Sequence, residues 1–197
     1  MTEEYKAKYS IPLEPGTTFI RPGPVRDWVD LGNPAVDVMT DFRFVEPKTV
    51  KPRISIDDAL QQMKQQGVRL LLVVEGSDQI IGVITAKDIQ GEKPIKIVQE
   101  TQKSHHDILV GELMTPQSEM SVLNMISVEE ATVGHIVQTM RELKRQHTLV
   151  VDTDEEKGEQ RVRGMFSTSQ INKQMHAQPS DEISPAGTFA EIVQSVH

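Results

Sequence analysis

Between residues 54 and 75, ISIDDALQQMKQQGVRLLLVVE, the apolar pattern changes period. Ile56, Ala59, Leu60 and Met63 recur at i, i+3, i+4 and i+7, the stripe of an amphipathic helix. From Leu70 the apolar residues run together and become β-branched, which predicts a short buried strand. The same change occurs 77 residues later in ATVGHIVQTMRELKRQHTLVVD (131–152), where Val133, Ile136, Val137 and Met140 form the stripe.

The repetition extends in both directions. Downstream, IIGVITAKDI (80–89) matches VRGMFSTSQI (162–171) at an offset of 82, so the second copy has five extra residues, which fall in the polar turn TDEEKGEQ. Upstream, DVMT (37–40) matches ELMT (112–115) at an offset of 75. Insertions fall in the connections, where loops tolerate them. Each copy reads as a short helix ending in Met-Thr, a strand, a helix, two strands joined by a turn, and a closing helix. One copy of about 55 residues buries little surface, whereas two packed sheet to sheet bury a core. The expected fold is therefore α/β, with repeats over 35–104 and 105–176 related by a pseudo-two-fold.

Outside the repeats, PLEPGTTFIRPGPVRDW in residues 1–34 is dense in Pro and Gly and predicts an extended arm that packs its single tryptophan, Trp28, on the module. Residues 177–197 read as a linker and a C-terminal amphipathic helix with Phe189, Ile192, Val193 and Val196 on one face.

Composition removes several classes of function. The net charge of −8 gives no broad positive field for nucleic acid. No apolar run approaches the roughly 18 residues that span a bilayer, and MTEEYKAKYS is acidic where a secretion signal is apolar, so a cytoplasmic protein off the membrane is expected. The chain has no cysteine, hence no disulfide, thiolate nucleophile or cysteine-ligated metal. His105, His106 and Asp107 are adjacent, but neighbouring side chains diverge and no histidine stands at i+4, so a polar loop is expected rather than a metal site. No Walker loop, nucleophile elbow or HExxH occurs, and an enzyme is not expected.

The chemistry concentrates at Thr85-Ala86-Lys87-Asp88, where a strand hands over to a helix. One reading is a capping box, in which hydroxyl and carboxylate satisfy helix N–H groups. The other is a ligand site, since an ionised carboxylate accepts from both hydroxyls of a ribose and a helix N-terminus favours phosphate. The second copy has Ser167-Thr168-Ser169-Gln170, which meets the needs of a capping box but lacks the carboxylate. Lys48, Lys51 and Arg53 precede the first amphipathic helix, whereas Glu129 and Glu130 precede the second.

DVMT, GVRLLLVV and GVITAKDI, repeated as ELMT, QHTLVV and GMFSTSQI, resemble a tandem pair of CBS (cystathionine-β-synthase) domains over roughly residues 35–176. The resemblance implies a regulatory module that binds AMP, ADP or ATP, associates as a homodimer and acts on a separate protein partner. It implies nucleotide contacts by Thr85, Lys87 and Asp88, an apolar pocket for the base at Val50 and Val83, phosphate contact by Arg69, and a weaker second site around Ser167 and His147. The alternative is a dimeric scaffold that binds no nucleotide.

Overall fold

The computed structural model describes residues 28–76, 78–154 and 158–175. The expected C-terminal helix and most of the arm lie outside them.

The first copy starts with a 3-10 turn, Ala35–Val38, and strand β1 (Thr40–Asp41), then β2 (Thr49–Val50) and helix α1 (Ile56–Gln66). Hairpin strands β3 (Leu70–Glu75) and β4 (Gln79–Thr85) lead to α2 (Ala86–Gln90) and α3 (Lys93–Thr101). The second copy repeats the order as α4 (Val110–Leu113), β5 (Thr115–Pro116), β6 (Leu123–Asn124), α5 (Met125–Glu129), α6 (Val133–Glu142), β7 (His147–Thr153), β8 (Gln160–Ser167) and α7 (Thr168–Gln174).

Both amphipathic helices form where the pattern places them. Helix α1 starts at Ser55, whose hydroxyl accepts the Asp58 N–H at 3.1 Å, and stops at Gly67, whose φ of +66° suits a residue without Cβ. Ile56, Ala59 and Met63 are buried on its inner face, as are Val133, Ile136, Val137 and Met140 on α6. Helix α3 and the short α5 are additional to the repeat unit expected from sequence; α3 is marked by Pro94 in its first turn and α5 by Asn124 at its N-cap.

The two sheets have the orders β2-β3-β4-β5 and β1-β8-β7-β6, so each short strand after Met-Thr has crossed to the other copy's hairpin. Thr115 pairs with Val83, and Thr40 with Met165. Both hairpins shift register at equivalent points, between Val73 and Val74 and between Val150 and Val151. Alternation then divides the core into three. Leu71 and Val73 pack under α1, Val150 and Phe166 pack under α6, and Leu70, Leu72, Val74 and Leu149 meet between the sheets.

The crossing requires glycine. A Cβ built on Gly82 would stand 2.5 Å from the Thr115 carbonyl oxygen, and one on Gly164 would stand 2.5 Å from that of Thr40. The second crossing is also tied by charge. Arg163 Nε and Nη2 donate to the two Asp41 oxygens at 3.0 and 3.1 Å. These bonds, with help from Arg43 and against the cost of burial, hold the Asp41 carboxyl well below the usual carboxylate range. The matching positions of the first sheet are Ile81 and Pro116, so that crossing is held without an ion pair.

The arm meets the second copy through Val29, not Trp28. Val29 is buried against the α6 core and its N–H donates to the Gln174 carbonyl at 2.8 Å. Successive extended residues face opposite ways, and Trp28 is left half exposed.

Because backbone rather than a flexible side chain blocks the added methyl, Gly82→Ala and Gly164→Ala should each destabilise the chain by about 1–3 kcal/mol. Gly32→Ala, which meets nothing within 4 Å, should stay within about 0.5 kcal/mol. Urea unfolding checks this; equal midpoints for all three variants would refute close crossing.

Candidate functional site

Strand β4 ends at Thr85 in extended conformation, and the chain turns directly into α2. The Thr85 hydroxyl accepts the Asp88 N–H at 3.1 Å, while Asp88 Oδ2 accepts from the Thr85 N–H at 3.0 Å and from its hydroxyl at 2.6 Å. The capping box is complete. The other oxygen, Oδ1, accepts from Lys93 Nζ at 2.6 Å, an ion pair contributed by α3. The Asp88 side chain is 15% exposed and that of Lys93 52%, so the carboxylate is fixed while its cation reaches it from solvent.

This junction opens onto a cleft of about 240 Å³ formed by both copies. Leu70, Val83, Met120 and Leu149 supply apolar wall, Thr85 and Asp88 the polar end, and Lys87, Lys144 and Arg145 positive charge. Arg145 is steadied by Ser121, donating from Nη1 to its carbonyl and hydroxyl, both at 3.0 Å. Helix α2 has only five residues, so positive charge here comes from side chains more than from a helix dipole. Thr115, Met120, Ser121, Lys144 and Arg145 are absent from the sequence-based site. All five belong to the second copy, and Thr115 reaches the cleft because β5 pairs with β4.

The pseudo-equivalent cleft, about 410 Å³, lies at the end of β8. It is lined by Thr40, Phe42, Glu46, Lys48, Arg69, Ser167, Gln170 and Lys173, among others. Arg69 and Lys48 thus stand in the Ser167 cleft and not in the Thr85 cleft, while Lys51 and Arg53 are exposed and line neither. Their carbonyl-side geometry obeys the repeat: the Ala86 N–H donates to the Arg69 carbonyl at 2.9 Å, and the Thr168 N–H to the Gln146 carbonyl at 3.0 Å. Val50 lines neither cleft and is buried in the α1 core.

The second junction does not form the capping box expected from Ser167 and Gln170. Ser167 pairs its hydroxyl with that of Ser169 at 2.8 Å, and α7 has no side-chain hydrogen bond at its N-cap. A serine two residues on is a closer partner than the longer glutamine amide. Only the Thr85 cleft joins a carboxylate to a completed cap.

His147 opens β7 and lines both clefts. Burial, reinforced by the positive charge of Arg69 and opposed by Asp88, brings its imidazole down to about 4 from the ordinary 6.5. The ring is neutral at pH 7 and lines both clefts.

A depressed imidazole makes folding pH-dependent. As pH falls below about 6.5 the unfolded chain takes up this proton, while the folded chain does not until about pH 4. Stability from His147 is therefore complete above 6.5 and is lost across that window, by a total of about 3 kcal/mol. Urea unfolding from pH 7.5 to 4 should show wild type converging on, or falling below, His147→Asn. A difference between the two that does not change with pH would refute the half-buried neutral ring.

Residues 35–92 match the family model of the CBS domain. No curated protein sequence matches the chain. Among solved structures, an uncharacterised conserved protein from Pyrococcus horikoshii is similar with a TM-score of 0.53 at 22% identity, covering 76% of this chain and 97% of that one. A CBS-domain-containing protein from Agrobacterium tumefaciens gives 0.52 at 19% identity, covering 74% and 97%. Protein MJ1225 from Methanocaldococcus jannaschii gives 0.50 at 20%, covering 70% of this chain and 48% of that one. At such identities the structures speak for fold alone: the first copy is similar to the CBS domain by sequence, and the described residues share their fold with a CBS-domain-containing protein.

Proposed function

We propose that the chain is a regulatory CBS pair that binds an adenine nucleotide, AMP, ADP or ATP, in the Thr85 cleft and acts on a separate partner, itself working as a homodimer. The observation that carries this reading is that the Asp88 carboxylate lines a cleft together with apolar Leu70, Val83, Met120 and Leu149 and the cations Lys87, Lys144 and Arg145. An apolar slot suits a base, a fixed carboxylate suits a diol, and converging cations suit phosphate.

A ribose diol would take Oδ1 from Lys93, whose exposed ammonium can return to water or move to the phosphates at little cost. The Ser167 cleft has cations and hydroxyls but no carboxylate at the equivalent place, so it should bind a nucleoside less well.

A second reading draws on the same carboxylate. Both Asp88 oxygens already have partners within the chain, so the motif satisfies itself as a cap and the protein would be a scaffold.

Calorimetric titration with AMP, ADP and ATP separates the two. The nucleotide reading expects one site per chain, weakened about 10–100-fold in Asp88→Asn through lost charge-assisted hydrogen bonds. That variant keeps an acceptor oxygen for the cap, and a melt confirms that it is folded. Gln170→Ala should leave this site unchanged. No heat with any nucleotide would favour the scaffold, and equal affinity in Asp88→Asn would overturn the assignment of the nucleotide to this carboxylate.

A further inference from the structure

Asp57, in the first turn of α1, stands against the 3-10 turn His105–Asp107 that links the two copies. His106 Nδ1 contacts one oxygen of its carboxylate, and His105 Nδ1 lies 3.4 Å from the other. The three donor atoms fall within 4.8 Å of one another. Adjacent imidazoles do diverge, and their planes stand at 82° to each other. A carboxylate between them turns that divergence into two directions of approach to one point. The cluster shares no residue with either cleft.

We infer that Asp57, His105 and His106 form a site for a borderline divalent cation of the Zn2+ class. Two imidazole nitrogens and a carboxylate oxygen are a donor set that such an ion accepts, with water completing the shell. Ligand bonds of about 2.0–2.1 Å put tetrahedral donors about 3.3 Å apart, within reach of small rotations of these side chains, of which His106 is exposed and Asp57 and His105 are half-exposed.

The backbone beneath the donors is already fixed. The Ile56 N–H donates to the Ile108 carbonyl at 3.0 Å, the Val110 N–H to the Ile54 carbonyl at 2.8 Å, and the Gly111 N–H to the Pro52 carbonyl at 2.8 Å. Ile56 and Ile108, next to the donors, are fully buried. Electrostatics also favour a cation: Asp58 and Asp107 flank the site in sequence, and Lys103, two residues before His105, is engaged by Glu112 at 2.6 Å. A bound ion would tie the first copy's helix α1 to the connection that begins the second copy.

The test uses the full chain without a histidine tag, zinc chloride titrated against a chromophoric chelator, and thermal melts with and without zinc. Expected are one Zn2+ per chain, a rise in melting temperature with zinc, and loss of both on changing a donor. His105→Ala, His106→Ala and Asp57→Asn should each weaken binding by at least the roughly 10–100-fold that loss of an outer-shell partner costs. His135→Ala, at a histidine elsewhere on the surface, should bind zinc as wild type does. Melts without zinc confirm that each variant is folded. Zinc affinity unchanged in His106→Ala and Asp57→Asn, or no binding to the folded wild type, would overturn the assignment and leave the cluster as hydrogen bonds between histidine and carboxylate.

Discussion

The passage of each Met-Thr strand across the opposite hairpin is the constraint on which the molecule depends. Two residues of strand, Thr40–Asp41 or Thr115–Pro116, contribute little pairing on their own, yet they join each copy to the other's sheet. Backbone approaches backbone so closely that only glycine fits at 82 and 164. The inter-sheet core of Leu70, Leu72, Val74 and Leu149 then closes between two sheets, each of which already contains both copies. Neither repeat is a self-contained unit in this arrangement, and the two clefts are consequences of it: each has a wall that came from the other copy.

The same crossing leaves repeats of like architecture unequal where chemistry is concerned. Asp41 and Arg163 clamp one crossing with a bidentate ion pair, and Ile81 and Pro116 leave the other to packing. At the strand ends, Thr85 and Asp88 lock into each other, whereas Ser167 pairs with Ser169 and leaves its helix without a side-chain cap. Charge is exchanged as well. Arg69 belongs to the first copy by sequence and to the second cleft by position, while Lys144 and Arg145 make the reverse journey. A tally of charges along the chain therefore assigns them to the wrong binding volume.

The architecture was legible because buried periodicity survives in both copies: Ile56, Ala59 and Met63 and their partners 77 residues on declare the helices, and the runs at 70–74 and 148–151 declare the strands. Thr85 and Asp88 were legible because helix caps are local. What escaped was non-local. Equivalence between repeats does not say which copy a strand pairs with, and two-residue strands carry no period. Equal placement of Gly82 and Gly164 was the available signal of a close backbone approach. Asp57 lies 48 and 49 residues from the two histidines it meets, beyond any spacing rule for helices or strands. Val50 shows the opposite failure: an apolar residue near a site is still core when its strand turns it toward a helix.

His147 stands at the boundary of the two clefts. It is the counterpart of Leu70 at the start of the equivalent strand, and it lines both clefts, so its environment changes when either volume fills. Its neutrality depends on burial and on Arg69, with Asp88 pulling the other way. An anion placed near the ring would favour the protonated imidazole, and a cation or a displaced Lys93 would disfavour it. Linkage makes that influence reciprocal, so occupancy of one cleft is felt at the other to the extent that it changes the charge state or position of this ring.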